Sequence, residues 1–182
     1  MTTHIPRINA IPYDVFANVA ASVLLPIVLG TTVGFSSRPK ETQSTYLAMK
    51  QPPLRPPPRI FGPVWTVLYG LMGYAAHRAV TQFPAAADRM RTLYTAQLGL
   101  NLLWMPLFFG LRRPVLALAD IVSLVGLNGY LTYLYFSVDE VAGWCQIPYM
   151  AWLGFATYLT AGVGYLNNWD ISKSTLAKRA KR

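Results

Sequence analysis

The sequence contains little charge. Only 13% of its 182 residues are charged and 53% are hydrophobic, whereas soluble domains carry about 25% charged residues. The charges are also clustered, so that long uncharged stretches alternate with short charged ones. A soluble protein spreads its charges over every amphipathic element, and this distribution therefore predicts a protein whose solvent is largely lipid.

Cysteine and histidine are almost absent as well. The single cysteine, Cys145, cannot form an internal disulfide, and the two histidines, His4 and His77, belong to no cluster with metal-ligand spacing. We therefore predict no metal site and no required cofactor. The formal net charge of +9 is explained by basic residues that flank membrane helices, so we expect no nucleic-acid partner.

The long uncharged runs predict an all-α integral membrane protein, a bundle of five transmembrane helices. The first run has 21 residues, close to the roughly 20 that cross a hydrocarbon core. Asp88, Arg89 and Arg91 predict a turn before the third span. The predicted spans are 15–35, 60–82, 92–111, 114–138 and 141–166. They form a membrane domain over 15–169, between an N-terminal segment, 1–14, and a basic tail, 170–182.

A polar loop, 36–59, joins the first two spans. Its proline-dense part, from Pro52 to Pro58, lacks too many backbone donors to be helical. We predict an ordered or semi-rigid lid or spacer next to the mouth of the bundle. The Pro-x-x-Pro pattern from Pro53 to Pro56 leaves a bound SH3 domain as an alternative.

The distribution of Arg and Lys predicts the orientation in the membrane. If there are five spans, the first loop, the third loop and the C-terminal tail lie on one side, and this side holds twelve of the sixteen basic residues. The positive-inside rule then places the first loop and the C-terminus in the cytosol. A scaffold that recruits partners or anionic lipid through the loop and the tail is one functional hypothesis.

Three predicted helices carry stripes of aromatic and amide side chains at helical spacing. The stripes are Trp65, Tyr69, Met72 and Ala76; Gln97, Asn101, Trp104 and Phe108; and Trp144, Pro148, Trp152, Phe155 and Leu159. Polar groups in membrane helices usually face the bundle interior. The stripes therefore predict a shared cavity, although packing and interface-belt roles for the rings stay open.

Two further features concern packing. Asp120 is the single charge in the fourth span, and a carboxylate there costs about 2.5 to 3.5 kcal/mol. We interpret it as a structural residue that caps the helix or pairs with Arg112 or Arg113, with a proton relay as the alternative. Gly30 and Gly34 have the spacing that lets helices approach closely, and we assign it to packing within the bundle.

From Tyr46 onward the sequence resembles the translocator protein family, also called the tryptophan-rich sensory protein or peripheral benzodiazepine receptor family. Four ordered motifs carry the resemblance: YLAMKQPPLRPPPRIFGPVWTVLY at 46–69, QLGLNLLWMPLFFG at 97–110, ALAD at 117–120 and PYMAWLGFAT at 148–157. The resemblance implies a five-helix bundle, commonly a homodimer, with a pocket that opens toward the cytosol beneath the first loop.

The resemblance also implies a function. Members bind tetrapyrroles such as porphyrin and haem, synthetic drugs and, in animals, sterols, so it implies a membrane translocator or receptor for such lipophiles. Its implied ligand-binding residues are Phe61, Gly62, Val64, Trp65, Tyr69, Gln97, Asn101, Trp104, Trp152, Ala156 and Leu159. Arg55 and Arg59 of the lid loop favour ligands with carboxylates. The alternative is light-dependent oxidative degradation of protoporphyrin, with Trp65 and Trp152 as the redox-active rings.

Four positions depart from the family pattern. Thr45, Leu54, Arg59 and Leu116 replace tryptophans, and we therefore expect weak binding of the animal-type drugs. The resemblance implies the outer mitochondrial membrane for a eukaryotic protein, with the secretory pathway or a bacterial membrane as alternatives.

Overall fold

The computed structural model describes residues 10–37, 39–172 and Thr175, with residue 39 described only in its backbone. These residues form α1 (Tyr13–Ala17), α2 (Val19–Ser36), α3 (Pro39–Ala48), α4 (Phe61–Gln82), α5 (Pro84–Met105), α6 (Pro114–Val138) and α7 (Glu140–Leu166). A 3-10 turn, Pro58–Ile60, precedes α4, and a π-helical turn, Pro106–Gly110, follows α5. The described part of the chain is helical and has no strand. Residues 1–9 and most of the basic tail lie outside it.

The first predicted helix is interrupted near its beginning. Asn18 has extended backbone angles and separates α1 from α2. Its side chain accepts a hydrogen bond from the backbone N–H of Ala21 at 3.1 Å, which is the usual way that asparagine caps a helix. Phe16 of α1 is buried and meets the edge of Tyr94, so α1 packs across the end of the bundle.

The predicted turn at Asp88, Arg89 and Arg91 is wrong, because these residues lie in the first two turns of α5. Pro84 opens this helix, and proline is tolerated in a first turn because its missing N–H has no partner there. Arg91 pairs with Asp88 one turn earlier. Only Phe83 separates α4 from α5, so the chain reverses at one residue.

Helices α6 and α7 meet at Asp139. Its carboxylate accepts a hydrogen bond from the Ala142 N–H at 3.1 Å, caps α7, and pairs with Arg78 at 2.8 Å. Burial raises the pKa of Asp139, but the hydrogen bonds and the charge of Arg78 outweigh it, so the pKa lies below its ordinary value. This end of the bundle is closed by an ion pair between α4 and the α6–α7 turn.

Residues 36–59 contain more regular structure than the sequence predicts, because α3 lies within them. The proline-dense segment that follows is not α-helical. We call residues 39–60 the lid. Asn167, at the end of α7, accepts a hydrogen bond from the Lys50 N–H and donates one to the Lys50 carbonyl, at 3.2 and 2.8 Å. Tyr158 donates to the Pro53 carbonyl at 3.0 Å. The lid is therefore fixed to α7.

The five long helices, α2 and α4 to α7, pack together into one bundle. Helices α2 and α4 approach closely where Ser22 donates to the Gly73 carbonyl at 2.7 Å. A Cβ on Gly73 would collide with the α2 backbone. Glycine at this position therefore sets the distance between the two helices.

The bundle buries several amide side chains and exposes many large apolar ones. Gln97, Asn101, Asn128 and Gln146 are buried. Large apolar side chains on the outer surface are more than half exposed; they include Leu24, Val67, Val122, Tyr133 and Trp144. Buried polar groups and large exposed apolar surfaces are the informative departures from an ordinary protein in water. By length and composition, α2 and α6 qualify as helices that can cross a membrane.

Candidate ligand cavity

A cavity of about 690 Å³ opens between the long helices beneath the lid. One side is a group of rings: the Trp65 centroid lies 6.4 Å from that of Trp152 and 5.2 Å from that of Tyr69. Phe61 meets Trp152 at 6.1 Å, and Tyr46 of the lid meets Phe61 at 5.7 Å. Such a surface favours flat apolar or aromatic ligands.

Hydrogen-bonded polar groups form the floor of the cavity. The Tyr69 hydroxyl donates to Asn101 Oδ1 at 2.7 Å, and Asn101 Nδ2 donates to the Tyr149 hydroxyl at 2.8 Å. Tyr69, Asn101 and Tyr149 come from α4, α5 and α7. A single amide therefore joins three helices and leaves a polar edge at the bottom of an otherwise aromatic cavity.

Nine of the eleven predicted ligand-binding residues line the cavity. They are Phe61, Gly62, Trp65, Tyr69, Asn101, Trp104, Trp152, Ala156 and Leu159. Val64 and Gln97 do not line it. Val64 is adjacent to Trp65 in α4, so its side chain points about 100° away from that of Trp65. Gln97 lies one turn before Asn101 in α5 and is fully buried. Of the two lid arginines, Arg59 lines the cavity and Arg55 does not.

The sequence reasoning missed the contribution of α2 and α3. Gly30 and Gly34 of α2 and Thr42 and Tyr46 of α3 line the cavity. A Cβ on Gly30 would collide with the ring of Tyr69, whereas a Cβ on Gly34 would meet nothing. The Gly-x-x-x-Gly spacing was the available signal, since it marks a place where another group approaches the helix closely.

Tyr46 connects the lid to the cavity. Its hydroxyl donates to the Pro56 carbonyl at 2.8 Å, and Gln51 donates to its backbone carbonyl. Burial raises the pKa of Tyr46, and the positive charge of Arg55 offsets part of this increase. Tyr46 therefore contributes a neutral, protonated phenol to the roof at physiological pH.

The four positions that depart from the family pattern have different surroundings. Only Arg59 lines the main cavity. Thr45 of α3 is buried and accepts a hydrogen bond from Arg112 at 3.0 Å. Leu54 is largely exposed, with a φ of 65°, and Leu116 is half exposed on the outside of α6. In this chain, Leu54 and Leu116 are therefore not part of the cavity lining.

The proposed pairing of Asp120 with Arg112 or Arg113 is wrong. Asp120 is 7% exposed, and neither carboxylate oxygen has a hydrogen-bond partner among the described residues. It does not cap α6 either, because Arg113 is the N-cap residue and no side chain bonds there. Asp120 points inward on α6, whereas Arg112 bonds to the lid.

The Trp104 indole borders the cavity. The Nε1 atom of Trp104 is buried and has no partner within the described ranges, and its ring stacks on Phe108 at 4.9 Å. The described residues contain no group of three or more metal-ligating side chains. The arrangement is suited to binding a flat lipophile by stacking and a few hydrogen bonds.

Sequence comparison assigns this fold to a known group of membrane proteins. The sequence model of the TspO/MBR family matches residues 22–166, which include the lid, α4 to α7 and all of α2 except its first three residues. The chain belongs to the TspO/MBR family. The matched range contains every cavity residue named above, so the cavity lies within the family domain.

Relatives in the TspO/MBR family come from distant organisms. The translocator protein homolog of Schizosaccharomyces pombe is 42% identical over 163 residues, which cover 85% of this chain and 98% of the relative. The human translocator protein is 36% identical over 134 residues, or 72% and 79% of the two chains. The tryptophan-rich protein TspO of Archaeoglobus fulgidus is 34% identical over 147 residues, or 81% and 95%.

Proposed function

We propose that all five long helices of this protein cross the membrane. The supporting observation is that amides are buried while large apolar residues face outward on each long helix. Helices α4, α5 and α7 carry polar residues that lower their average hydropathy, but those at mid-helix, such as Gln97 and Gln146, lie inside the bundle. Lipid-facing surfaces are therefore apolar even where the whole helix is not.

Within this membrane domain, we propose a translocator or receptor that binds a tetrapyrrole, such as porphyrin or haem, or another flat lipophile such as a sterol. The observation that carries the proposal is the cavity of about 690 Å³ in which Trp65 and Trp152 meet at 6.4 Å above a polar floor. Cavities of this size enclose most of a drug-sized ligand. The names of the relatives support transport or sensing as the purpose of binding.

The test is a titration of the detergent-solubilised protein with protoporphyrin IX, followed by the shift of the porphyrin Soret band. Changing Trp65 and Trp152 together to Phe removes both indoles, and we expect the affinity to fall several-fold because stacking area and N–H donors are lost. Trp144→Phe is the matched control, since Trp144 lies on the outside of α7. Equal affinities in the wild type and the double variant would contradict the proposed site.

The paired indoles also favour a second candidate, light-dependent oxidative degradation of protoporphyrin. Both rings line the cavity, where a bound porphyrin would contact them directly. Irradiating the complex in air separates the candidates. With a binding protein the porphyrin bleaches in light and air as it does without protein, whereas a degrading enzyme yields a new, protein-dependent absorbing product that the Trp65→Phe, Trp152→Phe variant does not form.

A further inference from the structure

A second, smaller cavity lies beside the aromatic one. It has a volume of about 490 Å³ and lies between the end of α2, helix α3 and the π-helical turn after α5. Val33, Thr42 and Phe109 line both cavities, so the two share a boundary. The other residues of the smaller cavity are mostly polar, and they are Ser36, Ser37, Glu41, Thr45, Pro106, Gly110 and Arg112.

Arg112 is held in this smaller cavity by its backbone and by the lid. Its φ is 56°, a left-handed conformation that non-glycine residues adopt rarely and at some energetic cost. The guanidinium is half-buried, and one of its N–H groups donates to Thr45 Oγ1 at 3.0 Å. Since a guanidinium has five N–H donors, most of them stay available.

No carboxylate of the described residues forms an ion pair with Arg112; the ion pairs there involve Arg78 and Arg91. A half-buried cation that is not engaged in an ion pair attracts an anion more strongly than an exposed one does, because less water screens it. Arg59 lines the mouth of the main cavity but is exposed. Arg112 is therefore the better-placed cation for an anionic ligand.

We propose that Arg112 binds a carboxylate of the ligand whose flat apolar body occupies the aromatic cavity. The inference rests on the proposed function and adds the chemical class of the ligand, an amphiphile with an acidic side chain. The carboxylate extends past Thr42 and Phe109 and meets the guanidinium fork, which matches a carboxylate with two parallel hydrogen bonds. Glu41 lines the same small cavity, and its charge favours a single carboxylate over a multiply charged phosphate.

The test compares protoporphyrin IX, which carries two carboxylates, with its neutral dimethyl ester on the full-length protein in detergent. We expect Arg112→Gln to weaken binding of the acid by at least about fivefold, as for loss of a charge-assisted hydrogen bond, and to change binding of the ester by less than about twofold. Arg112→Lys keeps the charge but loses the paired N–H donors. We expect its affinity for the acid to lie between those of the wild type and Arg112→Gln.

Two control variants separate recognition from structure. Arg113→Gln removes a neighbouring exposed charge that lines neither cavity, and we expect both ligands to bind normally. Thr45→Val removes the hydrogen bond to Arg112 but keeps the cation, and the preference for the acid should persist. Gel filtration and circular dichroism show whether each variant is folded.

Equal losses for acid and ester in Arg112→Gln, or no loss for either, would overturn the role of Arg112 while leaving the proposed function intact. Loss of the acid preference in Thr45→Val would likewise show that the lid contact, rather than the cation, governs recognition. If the wild-type protein binds neither porphyrin, the proposed function fails and the inference fails with it.

Discussion

At the scale of single residues, the cavity depends on a few small and polar groups. Asn101 joins Tyr69 and Tyr149, and Gly30 leaves the space that the Tyr69 ring occupies. Each net hydrogen bond of this kind contributes about 1 kcal/mol, and a partner left unpaired in a buried site costs more. The Tyr69 ring is therefore positioned by its hydrogen bond to the Asn101 amide and by the space that glycine leaves at position 30.

Gly30 and Gly34 offer a matched pair of alanine substitutions. Gly30→Ala would push the Tyr69 ring and strain its hydrogen bond to Asn101, and we expect lower thermal stability and weaker porphyrin binding. Gly34→Ala meets no atom within 4 Å and should be neutral or stabilising by up to about 1 kcal/mol, since alanine favours the helix. Melting curves in detergent measure both. If the two variants behave alike, the close contact at Gly30 is unimportant.

At the scale of helices and loops, much of the architecture follows from hydrophobic runs. The positions of α4, α6 and α7 follow from uncharged stretches with proline or acidic residues at their beginnings, and the stripe on α5 predicted where Asn101 and Trp104 lie. The helical start of α5 could not be predicted in the same way. Asp88 and Arg91 are compatible with either a turn or a helix, and their pairing one turn apart is visible only in the structure.

The lid shows a second limit of sequence reasoning. The composition of α3 is that of a polar surface helix or loop, and nothing local distinguishes the two. Its position depends on Asn167, which is 117 residues away from Lys50 in the chain. Long-range side-chain hydrogen bonds have no local pattern, so the residues that close the cavity could not be identified beforehand.

Asn167 provides a test of the lid. Asn167→Ala removes two hydrogen bonds to Lys50, and we expect the lid to open more often because these bonds join its backbone directly to the end of α7. Trypsin should then cleave faster after Lys50 and Arg59 in the detergent-solubilised protein. Arg55 precedes a proline and should resist cleavage. Tyr165→Phe, which alters an exposed residue near the same end of α7, serves as the control. Equal cleavage rates for Asn167→Ala and wild type would show that these bonds do not hold the lid closed.

At the scale of the whole molecule, the buried amides and the apolar exterior make a prediction about topology. Five spans place the α4–α5 and α6–α7 turns on one side of the membrane and the lid and the α5–α6 turn on the other. The buried end with Asp139 then faces away from the lid. The arrangement also explains how helices with modest overall hydropathy can lie in lipid, since only one face of each meets the acyl chains.

Single cysteines in a Cys145→Ser background test this topology in sealed membrane vesicles. We expect a membrane-impermeant maleimide to label Arg55→Cys and Leu111→Cys from one side only. Gln82→Cys and Ser137→Cys should react only from the other side. All four native residues are exposed, so each new thiol is accessible to the reagent. Labelling of all four positions from the same side would show that α4, α5 and α6 do not each cross the membrane.

The hydrogen-bonded floor of the cavity determines whether a ligand can pass through the protein. Beyond Tyr69, Asn101 and Tyr149, the interior is filled by side chains with almost no accessible surface, such as Met72 and Gln97. In this conformation the cavity is closed at its inner end, so a ligand that enters past the lid must leave by the same opening. Net passage across the bilayer would therefore require a second conformation, whereas capture and handover to an acceptor on the lid side would not.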